Sequence, residues 1–291
     1  MRLSHLALAI LVCFAWGLNA AAAKIGVTYI PPVFFTALRY IAVLACMVPW
    51  LRPVPGKWAV LIPAVFFMGG LHFALIFSGV KFSDASTMSI VNQIYVPISV
   101  LLAMVFLGEV VSLRRWLGIA VAFSGVVVFS LNANASSHLT GILLLVADAV
   151  SMGIGTVLLR RLAGVNPFVV QAWMGALAVP FLLLTSFIFE TGQIEAMSSA
   201  PAVAWWMLVY AVIGGSFIGH TGYYVLLQHY EVSLVGAMLL ISPVIGLLGG
   251  VLILGEPFTP LIVVGSAMTL LGVAIVLKRS EIPTMEPAEG V

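Results

Sequence analysis

Charge is scarce in this sequence. Lysine and arginine number 12 and aspartate and glutamate 10 among 291 residues, 8% in all, where a soluble domain carries roughly 25%. With 63% apolar residues and a mean hydropathy of +1.21, too few polar side chains exist to clothe a water-facing surface. The soluble globular classes are excluded on that ground. The net charge is only +2, and the basic residues are dispersed in short segments, so no patch for nucleic acid is formed. Cysteine is nearly missing: Cys13 and Cys46 both lie in apolar stretches, which excludes a disulfide framework or thiolate zinc site. Five histidines are scattered without metal spacing, and no Gly-x-x-x-x-Gly-Lys-Ser/Thr loop is present to cradle ATP phosphates. No serine or cysteine stands beside a plausible base. The expectation is a chain that is not an enzyme, with no catalytic residues, no metal, no cofactor and no ATP-binding subunit.

What fills the sequence instead is long apolar runs, separated by short polar or Pro/Gly breaks. Ten spans are predicted, at about 4–23, 31–50, 58–80, 85–107, 114–131, 140–160, 167–189, 203–227, 232–254 and 259–277. Each matches a hydrocarbon core of about 30 Å at 1.5 Å per residue. In lipid every backbone polar group must be paired within its own segment, and no period-two alternation is visible, so the spans are helices. Arg2, residues 6–15 and Ala20–Ala23 mimic a cleavable signal. The apolar run continues through Trp16 to about residue 23, however, and is read as a retained span.

Orientation follows from lysine and arginine. With a cytoplasmic N-terminus, the inside segments carry Arg2, Arg52, Lys57, Arg114, Arg115, Arg160, Arg161, Lys278 and Arg279, and the outside segments carry Lys24 and Lys81. Arg39 lies within a span. Both termini are therefore expected inside, ending in a Pro- and Glu-containing tail that reads as disordered.

The chain is also duplicated. Asp84 to Leu131 reappears without gaps 147 positions later: Asp84/Glu231, Ser86/Ser233, Ile94/Ile241 and Ile98/Ile245 correspond, then Leu107-Gly108-Glu109 with Leu254-Gly255-Glu256, Gly118/Gly265 and Gly125/Gly272. The first spans of each half match at an offset of 136, through Gly17/Gly153, Lys24/Arg160 and Pro31/Pro167. The extra residues of the second half fit the segment between Glu190 and Ala202. Five spans per unit is an odd number, so the second unit enters the membrane upside down. The expected organisation is a first five-helix repeat at 1–135, a second, inverted repeat at 136–279, and a tail at 280–291.

Trp16-Gly17 in span 1, Pro97 in span 4, Pro243 in span 9 and a Leu-Gly-Glu closing each of spans 4 and 9, in this order within ten duplicated spans, resemble the EamA family of the drug/metabolite transporter superfamily. The likeness covers about residues 4–278 and is nearest to the YddG-type bacterial amino-acid exporters. It implies an all-α integral membrane fold of ten transmembrane helices, as two inverted five-helix repeats around a central cavity, with helices 5 and 10 standing aside. It also implies export of small metabolites, amino acids prominent among them.

Polar residues within apolar spans mark the candidate site. Arg39 and Asp148 each lie eight residues from the outer end of their span, about 12 Å deep, and are expected to approach each other as an ion pair or gate. Asn19, His72, Asn92 and Gln93 gather near this level, with Trp16, Tyr95 and Ser242 nearer the midplane. Amides offer donors and acceptors to ammonium and carboxylate groups, and the rings offer stacking surfaces. Asn92 and Tyr95 share a helix face, whereas Gln93 points about 100° away. Pro97 removes a ladder donor just beyond them. His220, Tyr223 and Tyr224 are placed at an inner gate. For each of these, interhelical packing is the plainer role. Glu109, Glu231 and Glu256 sit at helix ends, where capping is the default.

The expected function is a multi-pass secondary transporter of a bacterial inner membrane, exporting amino acids or similar zwitterions by alternating access. The alternatives are an exporter of drugs or other small organic metabolites and, with less support, a membrane-embedded enzyme. The expected partners are the small-molecule substrate and the lipid bilayer.

Overall fold

The computed structural model describes residues 3–107, 111–131, 136–162, 164–229, 235 and 238–277. These residues form helices and connecting turns, with no strand among them. Among the described residues, nine helices are long and apolar enough to cross a membrane: α1 Leu3–Tyr29, α2 Pro32–Trp50, α3 Trp58–Phe82, α4 Ala85–Phe106, α5 Leu113–Ser130, α6 His138–Leu159, α7 Pro167–Phe189, α8 Ala202–Leu226 and α10 Pro260–Leu277. The apolar helix between the last two, α9 Ile241–Leu254, is shorter at 14 residues. The start of predicted span 9, the Leu-Gly-Glu glycine and glutamate at 108–109, Glu231, Tyr230 and the tail lie outside the described residues.

Local chemistry sets the helix ends. Pro32 and Pro167 occupy the first helical turns, where the missing N–H costs nothing. Asn166 caps α7 by accepting a hydrogen bond from the Phe168 amide at 2.9 Å. Gly255 ends α9 in the left-handed region at φ +69°. The first helix runs six residues past the end of the predicted apolar run, to Tyr29 rather than 23. Its first charge does not stop it because the Lys24 ammonium donates to the carbonyls of Val80 (2.9 Å), Lys81 (3.3 Å) and Ser83. The segment after Glu190 carries a short helix, Gln193–Ser199.

Three departures from α-helical geometry lie at midspan. Phe66–Leu71 of α3 and Ala211–Thr221 of α8 are π-helical, and both contain adjacent glycines, Gly69-Gly70 and Gly214-Gly215. In α4, a tight turn at Asn92–Ile94 separates two α-helical parts just before Pro97. Widened turns such as those in α3 and α8 are frequent at functional sites, and tightened ones mark hinges or strained segments.

The helix contacts follow a pattern. The pairs α2–α7, α4–α9 and α5–α10 are in contact. The α1–α9 contact has a counterpart in α6–α4, and the α3–α6 contact one in α8–α1. The main buried apolar cluster is built chiefly by α1–α4 and α6–α8, with Val126 of α5 at its border. A smaller one, with Ile119, Ala122, Val273 and Val276, joins α5 to α10. Large apolar side chains such as Leu252 (78% exposed) and Phe189 (80% exposed) point outward, as a lipid-facing surface requires.

α5 and α10 run antiparallel and nearly touch. A Cβ added at Gly118 would lie 2.9 Å from the Gly272 carbonyl oxygen, and one at Gly125 would lie 2.7 Å from that of Gly265. These are the glycines that recur between the halves, now facing one another. Only glycine permits so close a backbone approach. Gly272→Ala is therefore expected to lower stability by about 1–3 kcal/mol, read as a fall in melting temperature in detergent. Gly249→Ala, whose Cβ would meet Ala21 at an ordinary 3.7 Å, should leave it within about 0.5 kcal/mol.

Candidate functional site

A cavity with about 120 Å³ of room for water centres lies among the midspan departures, lined from α1, α2, α3, α4, α6, α8, the Leu239–Pro243 stretch and α10. One water needs roughly 10–15 Å³ on this measure, so the space takes several waters or a small organic solute. Of the residues singled out in the sequence, the structure brings Trp16, Asn19, Arg39, His72, Asn92, Gln93, Tyr95, His220 and Ser242 to its wall. Asp148, Tyr223 and Tyr224 do not border it.

Asp148 lies behind the wall, fully buried. His72 Nδ1 donates to its Oδ1, and Asn92 Nδ2 donates to its Oδ2 at 2.6 Å. One carboxylate thus ties α6 to α3 and α4 and sets two cavity side chains. Asn92 stands where α4 tightens; His72 follows the π-helical part of α3.

The expected approach of Arg39 to Asp148 is not what the structure shows. Among the described residues, the ion pairs within 4.0 Å are His72–Asp148 and His138–Asp84. Arg39, 1% exposed, instead donates from Nε to Ser216 Oγ on α8 at 3.0 Å. Its guanidinium lies 4.7 Å from the Phe73 ring centroid. Equal depth fixes distance along the helices but not direction around them. Asp148 meets the nearer partners on the helices packed against it.

Aromatic side chains form the other wall. Trp16 Nε1 donates to the Gly215 carbonyl at 3.3 Å, and its ring meets His220 at 5.2 Å and Tyr223 at 5.3 Å between centroids. His220 also lies edge-on to Phe73 at 5.7 Å. Tyr224 is buried with its hydroxyl 3.7 Å from Met174 Sδ and its ring 6.4 Å from that of His220. Gln93, expected to point away from Asn92, borders the same cavity. The space wraps around α4 at its tightened turn rather than touching a single stripe.

Sequence reasoning missed Ser216, the partner of Arg39, and the apolar wall made by Phe73, Ile76, Phe77 and Met88. Ser216 carried a signal, a hydroxyl inside an apolar span beside two glycines. The apolar residues carried none that sets them apart from packing.

At the end of the bundle bearing Lys24, acidic side chains cap helices other than their own. Glu256, after α9, accepts from the Ala85 and Ser86 amides at the start of α4 at 2.6 and 2.9 Å. Glu190, after α7, accepts from the Val33 and Phe34 amides of α2 at 2.9 and 3.0 Å. Each places a negative charge on a helix N-terminus. His138 meets Asp84 at 2.8 Å at the same end.

Comparison with known proteins places this arrangement. The EamA-like transporter family matches residues 3–131 and again residues 139–278. The chain belongs to the EamA-like transporter family. Among its relatives, an "Uncharacterized transporter" of Archaeoglobus fulgidus is 29% identical over 94% of this chain and 98% of that protein. A "Probable amino-acid metabolite efflux pump" of Salmonella typhimurium is 25% identical over 92% of this chain and 93% of its own length. One crystal structure has a TM-score of 0.66 at 22% identity, covering 94% of this chain and 96% of the other, a likeness of fold. In this member of the EamA-like family, the two family matches fall on the two halves between which the cavity lies.

Two substitutions separate the roles of the acidic groups. Asp148→Ala strands two buried donors and is expected to cost about 3–5 kcal/mol. Glu256→Ala removes one cap and should cost about 0.5–2 kcal/mol. Glu195→Ala, at an exposed site, is the reference. Melting temperatures of the purified proteins give the ranking, and equal loss for Asp148→Ala and Glu195→Ala would contradict it.

Proposed function

We propose that this protein is a secondary exporter of small metabolites, amino acids foremost, that works by alternating access across a bacterial inner membrane. The observation that carries the proposal is the midspan cavity walled by both family-matched halves, with ionisable, amide and aromatic groups facing a space of solute size. The name of the Salmonella typhimurium relative supports amino-acid metabolites as the cargo class. The apolar and aromatic part of the wall favours, as a second reading, other small organic metabolites or drugs.

The proposed architecture is ten transmembrane helices as two inverted repeats, 1–135 and 136–279, followed by the 280–291 tail, with both termini in the cytoplasm. It is supported by the exchange pattern of the helix contacts and by the antiparallel course of the counterpart helices α5 and α10. The helix caps then lie at the outer face. There they hold α2, α4, α7 and α9 together, as a transporter closed to the outside would require. Solute or ion gradients drive the cycle, and no ATP-binding subunit is called for.

Two measurements test this. In proteoliposomes preloaded with unlabelled solute, counterflow of labelled amino acids is expected. Exchange of none of the twenty, with exchange of cationic or aromatic drugs, would transfer the assignment to the second reading. For topology, single cysteines at Arg161 and Glu195, in a background lacking Cys13 and Cys46, are exposed to an impermeant maleimide. Position 195 should label in intact cells and position 161 only after permeabilisation; the reverse would invert the orientation.

A further inference from the structure

The Arg39 guanidinium is a buried cation with no carboxylate within 4.0 Å among the described residues. Its Nη1 has no hydrogen-bond partner and no exposure. Asp148 does not compensate it, because both carboxylate oxygens are taken by His72 and Asn92. An unpaired charge away from water is strongly unfavourable. Arg39 borders the cavity, so the missing counter-charge has a place to sit. The Arg39 Cζ lies over the Phe73 ring, 4.7 Å from its centroid, and Nε is engaged by Ser216, which leaves the Nη groups as donors of the kind that grip carboxylates.

A second orphan lies beside it. Asn19, 8% exposed, has its Oδ1 buried and without a donor. Asn19 Oδ1 and Arg39 Nη2 each lie 2.9 Å from the point a Cβ on Gly215 would occupy. An unmet cation and an unmet acceptor thus converge over one glycine, next to the apolar wall of Ile76, Phe77 and Met88. An α-amino acid carries its carboxylate and ammonium on a single carbon, and would satisfy both at once.

We propose that Arg39 and Asn19 form the head-group site for a free α-amino acid with an apolar side chain, Arg39 receiving the carboxylate and Asn19 Oδ1 the ammonium. This rests on the transport reading for its physiological meaning, but binding can be measured without transport. It leaves Asp148 as a positioning residue for His72 and Asn92.

The test uses purified full-length protein in detergent, with thermal stabilisation titrated by L-leucine, isopentylamine (no carboxylate) and N-acetyl-L-leucine (no ammonium), and leucine counterflow measured in parallel. Leucine is expected to bind at least about tenfold more tightly than either analogue, the loss that follows from removing a charge-assisted hydrogen bond. Arg39→Gln should weaken leucine at least about tenfold, and Arg39→Lys should recover part of it. Isopentylamine binding as well as leucine would overturn the role of Arg39, and N-acetyl-L-leucine binding equally well would overturn that of Asn19. The wild-type series does not depend on any variant folding. Leucine binding without counterflow would sustain the site and overturn the transport reading. Counterflow with an Arg39→Gln protein of wild-type affinity would do the opposite.

Discussion

A carboxylate that never meets water must be satisfied by its neighbours, and Asp148 is such a group at the middle of α6. Its two oxygens are engaged by donors from α3 and α4, so three helices are held in fixed rotation at midspan. The cost of stranding a buried charge makes this a strict constraint. His72 and Asn92 face the cavity because Asp148 stands behind them. Arg39 is left without a carboxylate for the same reason. The polar character of the cavity, an Arg39 guanidinium without a carboxylate beside an Asn19 oxygen without a donor, is thus shaped by one residue that does not border it.

Much of the fold was legible in the sequence because a bilayer imposes a simple rule. Apolar runs of about 20 residues must be helices, and among the described residues nine of the ten predicted spans appear as long apolar helices. Lys24 shows where that rule stops: a charge ends an apolar run, but not a helix whose neighbour offers carbonyls to it. Of the twelve residues singled out within the spans, nine line one cavity. Which of them pair was not legible. Arg39 and Asp148 share a depth, yet rotation about the helix axis, altered by the π-helical turns of α3 and α8, decides the partners. Of the two capping glutamates, the sequence marks Glu256 as a helix-end residue and carries no signal at Glu190; both cap the first turns of other helices, a long-range relation that no local spacing encodes.

The duplication has a physical counterpart in packing. Gly118 and Gly125 recur as Gly265 and Gly272, and the structure brings Gly118 to Gly272 and Gly125 to Gly265. Exchanging the halves maps one contact onto the other. A glycine needed on one side of such an interface is needed on both, which accounts for its recurrence. The cavity obeys no such rule: Asn92, Gln93 and Tyr95 correspond to Leu239, Leu240 and Ser242. Scaffold positions repeat and cavity positions diverge.

The Glu256 cap has a consequence for movement. The end of α9 and the beginning of α4 share one carboxylate. If these helices part, two amide N–H groups and a full negative charge lose their partners together. Water is the replacement that can solvate all three at once. Separation of the two helices and hydration of the crevice between them are therefore a single event, and a dry, parted state is forbidden by the same electrostatics that hold the closed one.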